Sequence, residues 1–188
     1  MRMKLCMTVL LAWLVFCGST VAAVVPRIEV NLDGKGLKLL VFEGSDHHRN
    51  YVDRGKILGD LYFNYLVDNK TYSVNLSDLQ SEILENTAGK IQIFWQLPAG
   101  VRLYQTFTVS GEEIEWDIEF FNRSHHVVNI LDMCLTVPIG AIDESVQAYQ
   151  NLNRHFSLNG NSSFLYWIPY TGQGDILLMS MKKGTAME

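Results

Sequence analysis

Between Glu113 and Phe120 the chain reads Glu-Ile-Glu-Trp-Asp-Ile-Glu-Phe, a carboxylate and a large apolar residue taking turns at every position. Only a β-strand has a two-residue side-chain period. The stretch therefore predicts a strand with Ile114, Trp116, Ile118 and Phe120 on a core and Glu113, Glu115, Asp117 and Glu119 facing water. The Ser110-Gly111 pair just before it predicts a tight turn from the preceding apolar run. A hairpin cannot bury an apolar face by itself, so the pattern also demands further strands and an opposing layer.

The remaining sequence supplies them. Arg27–Asp33 alternates, Asp33-Gly34-Lys35-Gly36 has hairpin-turn chemistry, and Leu37–Phe42 returns as a second strand. Gly44–Gly55 is polar and reads as an exposed loop. Ile57–Val67 and Thr71–Leu76 form a further hairpin around Asp68-Asn69-Lys70. Ile91–Leu97 and Val101–Val109 flank the turn Pro98-Ala99-Gly100. His125–Pro138, Ser163–Ile168 and Asp175–Met181 complete about ten to twelve strands. One short helix is expected over Ser77–Lys90, capped by Ser77, with Leu79, Ile83 and Leu84 as its apolar stripe. Regular turns, many strands and no internal repeat predict an all-β, antiparallel β-sandwich in a single domain.

The N-terminus reads as an export leader: Arg2 and Lys4, the apolar run Leu5–Phe16, then small residues at Val21-Ala22-Ala23. Residues 1–23 are assigned as a signal peptide and 24–188 as the β-sandwich, placing the protein in the periplasm or outside the cell. Acylation at Cys17 or an uncleaved anchor are alternatives, although Gly18-Ser19-Thr20 interrupts the apolar run and argues against a stable membrane span. Losing Arg2 and Lys4 would move the formal net charge from −5 to −7. An acidic chain without a basic stripe is a poor nucleic-acid ligand. Only Cys134 would remain, so no internal disulfide can form, and its apolar surroundings predict a buried thiol. Stability must come from the core, and a chain of this length buries roughly 70% of its unfolded surface.

Candidate chemistry is sparse. Carboxylates two apart on a strand face lie roughly 6.6–7 Å apart, near the spacing of an inverting glycosidase pair. A general acid needs a desolvated carboxyl, however, and the alternation puts all four in water. His47-His48 and His125-His126 are adjacent pairs whose rings point to opposite strand faces, at no zinc-ligand spacing. No nucleophile elbow, phosphate loop or dinucleotide fingerprint occurs, so neither a metal nor another cofactor is indicated. Four Asn-X-Ser/Thr triplets, at Asn69, Asn75, Asn122 and Asn161, read as turn composition. The aromatic tract Phe164–Tyr170 is the one candidate ligand surface, because aromatic rings stack on sugar faces. Tyr170, Trp167 and Tyr166 are its candidate binding residues, with His155 nearby in sequence.

The blocks Ile57-Leu58-Gly59-Asp60-Leu61, Trp116–Asn122 and His155–Met179, followed by Lys183–Glu188, resemble a bacterial family in their order and spacing. It is the N-terminal β-supersandwich region, galactose-mutarotase-like, of six-hairpin-glycosidase-like proteins. The resemblance covers residues from about 57 onward. It departs from the family at Ile168, where an Arg is expected, and at Tyr170, where a short polar residue is expected. It implies a non-catalytic sandwich, truncated at its C-terminal end, whose missing downstream partner is a helical barrel carrying the catalytic carboxylates. No catalytic residue is implied in this chain. Two other functions fit the same residues: an autonomous carbohydrate-binding module, and a mutarotase-type enzyme in which His155 would serve as acid or base.

Overall fold

The computed structural model describes residues 25–43, 50–52 and 54–138 in full, together with the backbone of strands Arg2–Leu10, Leu152–Asn159, Ser162–Pro169 and Ile176–Met181. In chain order the strands are β1 (Arg2–Leu10), β2 (Val25–Val30), β3 (Leu37–Glu43), β4 (Leu61–Val67), β5 (Lys70–Asn75), β6 (Ser81–Asn86) and β7 (Lys90–Gln96). They continue with β8 (Val101–Ser110), β9 (Glu113–Asn122), β10 (Val128–Leu135), β11 (Leu152–Asn159), β12 (Ser162–Pro169) and β13 (Ile176–Met181). Every pairing is antiparallel. An eight-stranded sheet runs β11-β12-β13-β1-β9-β8-β7-β6, a three-stranded sheet β10-β4-β5, and β2-β3 forms a separate hairpin. The chain is thus an all-β, sandwich-like antiparallel fold. Arg2–Leu10, part of the leader in the sequence reading, is the strand between β13 and β9.

One core joins the layers. Ile91, Ile93 and Trp95 of β7, Leu103 and Phe107 of β8, and Ile114, Trp116 and Ile118 of β9 face Leu61, Phe63 and Tyr65 of β4 and Leu37, Leu40 and Phe42 of β3. Phe63 meets Phe120 edge to face with ring centroids 5.2 Å apart, and Phe107 stacks on Trp116 at 5.4 Å. The alternation in β9 therefore does what it predicts on its apolar side.

A polar clamp sits in this apolar layer. Gln105 is fully buried; its Nε2 donates to the Gly59 carbonyl at 2.7 Å, and its Oε1 accepts from Trp116 Nε1 at 2.8 Å. A buried amide must satisfy its donors and acceptors or cost stability, and this one does so by tying the segment before β4 to β9. Gly59 makes the approach possible: its φ is +113°, and a Cβ there would lie 3.0 Å from Gln105 Oε1 and 3.1 Å from Phe107. Next to it, Leu58 and Leu37 exchange backbone hydrogen bonds of 2.8 and 2.9 Å, which hold the β2-β3 hairpin to the same layer.

Several expectations fail for identifiable reasons. Ser77–Lys90 forms no α-helix. Leu76–Asp78 is a single 3₁₀ turn, capped by Asn75 rather than Ser77, and Ser81–Asn86 is edge strand β6. The helical spacing was an accident of a bulge: pairing slips between Ile83 and Glu85, leaving Leu84 as the extra residue. Cys134 is exposed, not buried. A register shift between Ile130 and Asp132 inserts Leu131 into β10 and reverses the phase beyond it. That shift turns Asp132 outward, where it accepts a 3.0 Å hydrogen bond from Asn64 Nδ2, and it turns Cys134 outward as well. The loop after β3 is not wholly exposed either. Tyr51 and Val52 join the core, positioned by Asn50, whose Oδ1 accepts from the Leu40 and Val52 amides.

The turns behave as read. Asp68 and Asn69, at φ 49° and 62°, make the two-residue connection that suits the twist of a hairpin. Asn75 and Asn122 each accept hydrogen bonds from the amide and hydroxyl of the Ser two residues on, so both triplets build turns. Asn161 lies outside the described residues.

Candidate functional site

The outer face of β7, β8 and β9 carries an aromatic row. Register places Phe94 opposite Tyr104, and Tyr104 opposite Glu119; Arg102 stands opposite both Gln96 and Phe121. Cross-strand neighbours lie close enough for aromatic side chains to touch. Phe94 and Tyr104 pack with centroids 5.1 Å apart at 39°, and Tyr104 meets Phe121 edge to face at 5.3 Å and 83°. The Arg102 guanidinium lies 5.9 Å from the Phe94 centroid, within reach of a cation–π attraction. Phe121 is 48% exposed, while Phe94, Tyr104 and Arg102 are half-buried. Large apolar rings thus stay accessible on a polar face, beside Gln92, whose Nε2 donates to Thr106 Oγ1 at 3.1 Å.

The carboxylate ladder borders this row, and it is drier than the sequence implies. Asp117 is only 8% exposed and Glu113, Glu115 and Glu119 are half-buried. The reason is position: β9 lies inside the eight-stranded sheet, between β1 and β8, so Asp117 is flanked on both sides, with Thr106 opposite it on β8. All four carboxylates are engaged in interactions.

Open clefts lie elsewhere among the described residues. One, of about 450 Å³, is lined by Arg27, Glu29, Lys38, Asn86 and Thr87 among others. Arg27 donates to Glu29 at 2.5 Å and Lys38 lies 3.4 Å from the same carboxylate. The hydrogen bond from Arg27 holds Glu29 below the usual carboxylate range, and the reciprocal bond raises Arg27. Another, of about 410 Å³, includes Asp33, Lys35, Lys56, Asp60 and Ser77. There Lys35 Nζ donates to the Ser77 carbonyl, and Asp60 turns Oδ1 into a buried position without a hydrogen-bond partner among the described residues. Mixed charge of this kind suits a polar ligand but selects none.

Of the ligand-site residues singled out from the sequence, His155, Tyr166 and Trp167 lie on strands at the opposite end of the large sheet from β7 and β8. His155 is in β11, and Tyr166 and Trp167 are in β12; register sets His155 opposite Tyr166 and Arg154 opposite Trp167. The structure therefore brings His155 and Tyr166 to paired positions and places Trp167 one residue on. Tyr170, His47 and His48 lie outside the described residues. His126 Nδ1 is 2.6 Å from Asp68 Oδ2, an exposed pair at the β4-β5 turn. Among the described residues no group of three or more His, Cys, Asp or Glu could hold a metal ion, and no helix is long and apolar enough to cross a membrane.

Phe94, Tyr104 and Phe121 were missed in the sequence. Their only signal was one aromatic at a polar-phase position in each of three successive strands, and which of them touch depends on register. No protein-family model matches this chain, and neither the curated proteins nor the solved structures contain a match to it.

Proposed function

We propose that this chain is a non-catalytic β-sandwich domain that recognises polysaccharide, of the kind that accompanies a glycoside hydrolase in an exported bacterial protein. The observation that carries the reading is the row Phe94–Tyr104–Phe121 with Arg102 over its end, on the outer face of the large sheet. Pyranose rings have apolar faces that stack on aromatic side chains and hydroxyl rims that hydrogen-bond to polar neighbours. Arg102, Gln92 and Glu119 are the polar groups beside the rings. A broad sheet face of this type suits an extended glycan chain, and the same face serves whether the domain works alone or beside a catalytic barrel.

Affinity electrophoresis and calorimetry against a panel of soluble polysaccharides test it. At least one glycan should retard the protein, and Tyr104→Ala and Phe121→Ala should each weaken that binding about tenfold, the equivalent of losing one stacked ring. Tyr62→Ala, an exposed aromatic on the three-stranded sheet, should leave it unchanged. No binding at millimolar glycan, or equal loss in all three variants, would discard the proposal.

A further inference from the structure

We propose that the β1-facing edge of β9 is a strand-acceptor site, filled within this chain by Arg2–Leu10 and, once a leader is removed, by an extended basic segment of a partner. The inference rests on reading residues 1–23 as a leader, and it is independent of glycan binding.

Among the described residues β1 is the only pairing partner of β9 on this side, and it covers seven registered residues from Glu113 to Glu119. The residues that make the sequence resemble a leader are the residues that complete the sheet. Removing them would bare a row of backbone donors and acceptors in the interior of the sheet rather than at a natural edge, and unpaired edges recruit extended chains.

The chemistry of the occupant is written in β9. Its core-side residues in this stretch are Ile114, Trp116 and Ile118, each at most 1% exposed, so an incoming strand must carry apolar residues at alternate positions. Its other positions are Glu113, Glu115, Asp117 and Glu119, four carboxylates in a row. An incoming strand is therefore favoured by cations at the intervening positions. The present occupant has that composition: Met3, Leu5 and Met7 register with Ile118, Trp116 and Ile114, whereas Arg2 registers with Glu119 and Lys4 with Asp117. An extended segment alternating apolar with cationic residues is the partner chemistry this edge selects.

The test uses the full chain with a specific protease site inserted after Ala23. After cutting, the N-terminal fragment should co-elute with the body on size exclusion. A labelled synthetic peptide of residues 2–10 with Cys6→Ser should then exchange into the complex. The same peptide carrying Arg2→Glu and Lys4→Glu should bind about tenfold or more weaker, because like charges then stand in register with Glu119 and Asp117. Loss of the fragment with no rebinding of either peptide overturns the proposal, and so does equal binding of the two. A dimer that forms on cutting and excludes both peptides makes a second copy the occupant and overturns it too. Should the cut body unfold, hydrogen exchange on the uncut chain decides. Arg2→Glu with Lys4→Glu should speed exchange at those β9 amides of 113–119 that point to β1, while the alternate amides that point to β8 and those of β7–β8 stay protected. Unchanged β9 protection overturns the proposal.

Discussion

Tyr104 and Gln105 are neighbours on β8, and they belong to two surfaces with different work. Gln105 points inward and has no exposure at all, and its two hydrogen bonds join Gly59 to Trp116. Tyr104 points outward and packs against the rings of Phe94 and Phe121. Two distant sequence segments, Ile57–Leu61 and Trp116–Asn122, meet at Gln105. Those segments therefore mark how the layers are joined, a matter of fold. The outer face, free of that duty, is where ligand recognition has room to sit.

The sharpest way to break this contrast is to substitute the two neighbours separately. Gln105→Leu keeps much of the volume but leaves the Gly59 carbonyl and the Trp116 indole N–H buried without partners, costing about 3 kcal/mol. For a domain of this length that lowers the melting temperature by about 6–12 °C. Tyr104→Ala should shift stability by about 1 kcal/mol or less while weakening the proposed glycan binding about tenfold. Equal destabilisation by the two variants, measured by thermal unfolding, would erase the division of labour between the faces.

A second comparison lies wholly inside. Trp95 and Trp116 are both fully buried, but Trp116 Nε1 is hydrogen-bonded to Gln105, whereas Trp95 Nε1 has no partner among the described residues. Trp116→Phe loses volume and also orphans Gln105 Oε1, for about 2–3 kcal/mol. Trp95→Phe loses similar volume but removes an unsatisfied donor, so about 1 kcal/mol is expected. Urea unfolding of both variants measures the difference. A larger cost at Trp95 would mean that the clamp contributes little.

The inner face was largely legible because it is written in local alternation. Ile114, Trp116 and Ile118 announce β9, and Asp68-Asn69 announces the β4-β5 turn. Legibility ended wherever one inserted residue changed the phase. Leu84 made β6 resemble a helix, and Leu131 moved Cys134 from the core to the surface. The candidate site was less legible still. Phe94, Tyr104 and Phe121 are separated by ten and seventeen positions in sequence, and only strand register brings them together. Gln105 could be placed inward by its phase with Leu103 and Phe107, yet its two partners come from distant segments that no periodicity connects.

Alkaline pH sharpens the contrast at the core's margin. Tyr65 is fully buried in the core and donates its hydroxyl to the Pro98 carbonyl at 2.9 Å. Burial, and then neighbouring Tyr72, push its phenol up to about 12. An unfolded tyrosine ionises near 10, so between these values the native state holds a proton that the unfolded state has released. The stabilisation is complete below about pH 10 and is lost as pH rises toward 12. Tyr65→Phe should cost about 1 kcal/mol at pH 8, through the lost hydrogen bond. It should also flatten the fall in urea midpoint between pH 9.5 and pH 11.5 that the unaltered protein shows (roughly the window set by the two ionisations). An identical pH slope in both proteins would show that Tyr65 is wetter than its burial implies.

The smallest expected effect is at Cys134, where the bulge at Leu131 determines the outcome. Had β10 kept a strict alternation from Val128 and Ile130, Asp132 and Cys134 would both have faced the core. A buried Asp132 would have lacked water, whereas the extra residue lets it pair with Asn64 on the surface. Cys134 follows it outward as a consequence of the same shift, so Cys134→Ser should alter stability by less than about 0.5 kcal/mol. The thiol of the folded protein should react with an aromatic disulfide reagent as fast as it does in denaturant, within a few fold. Reaction that waits for unfolding would return Cys134 to the core and remove the bulge from β10. Deleting Leu131 should then convert the first behaviour into the second, destabilising the protein as Asp132 is driven inward.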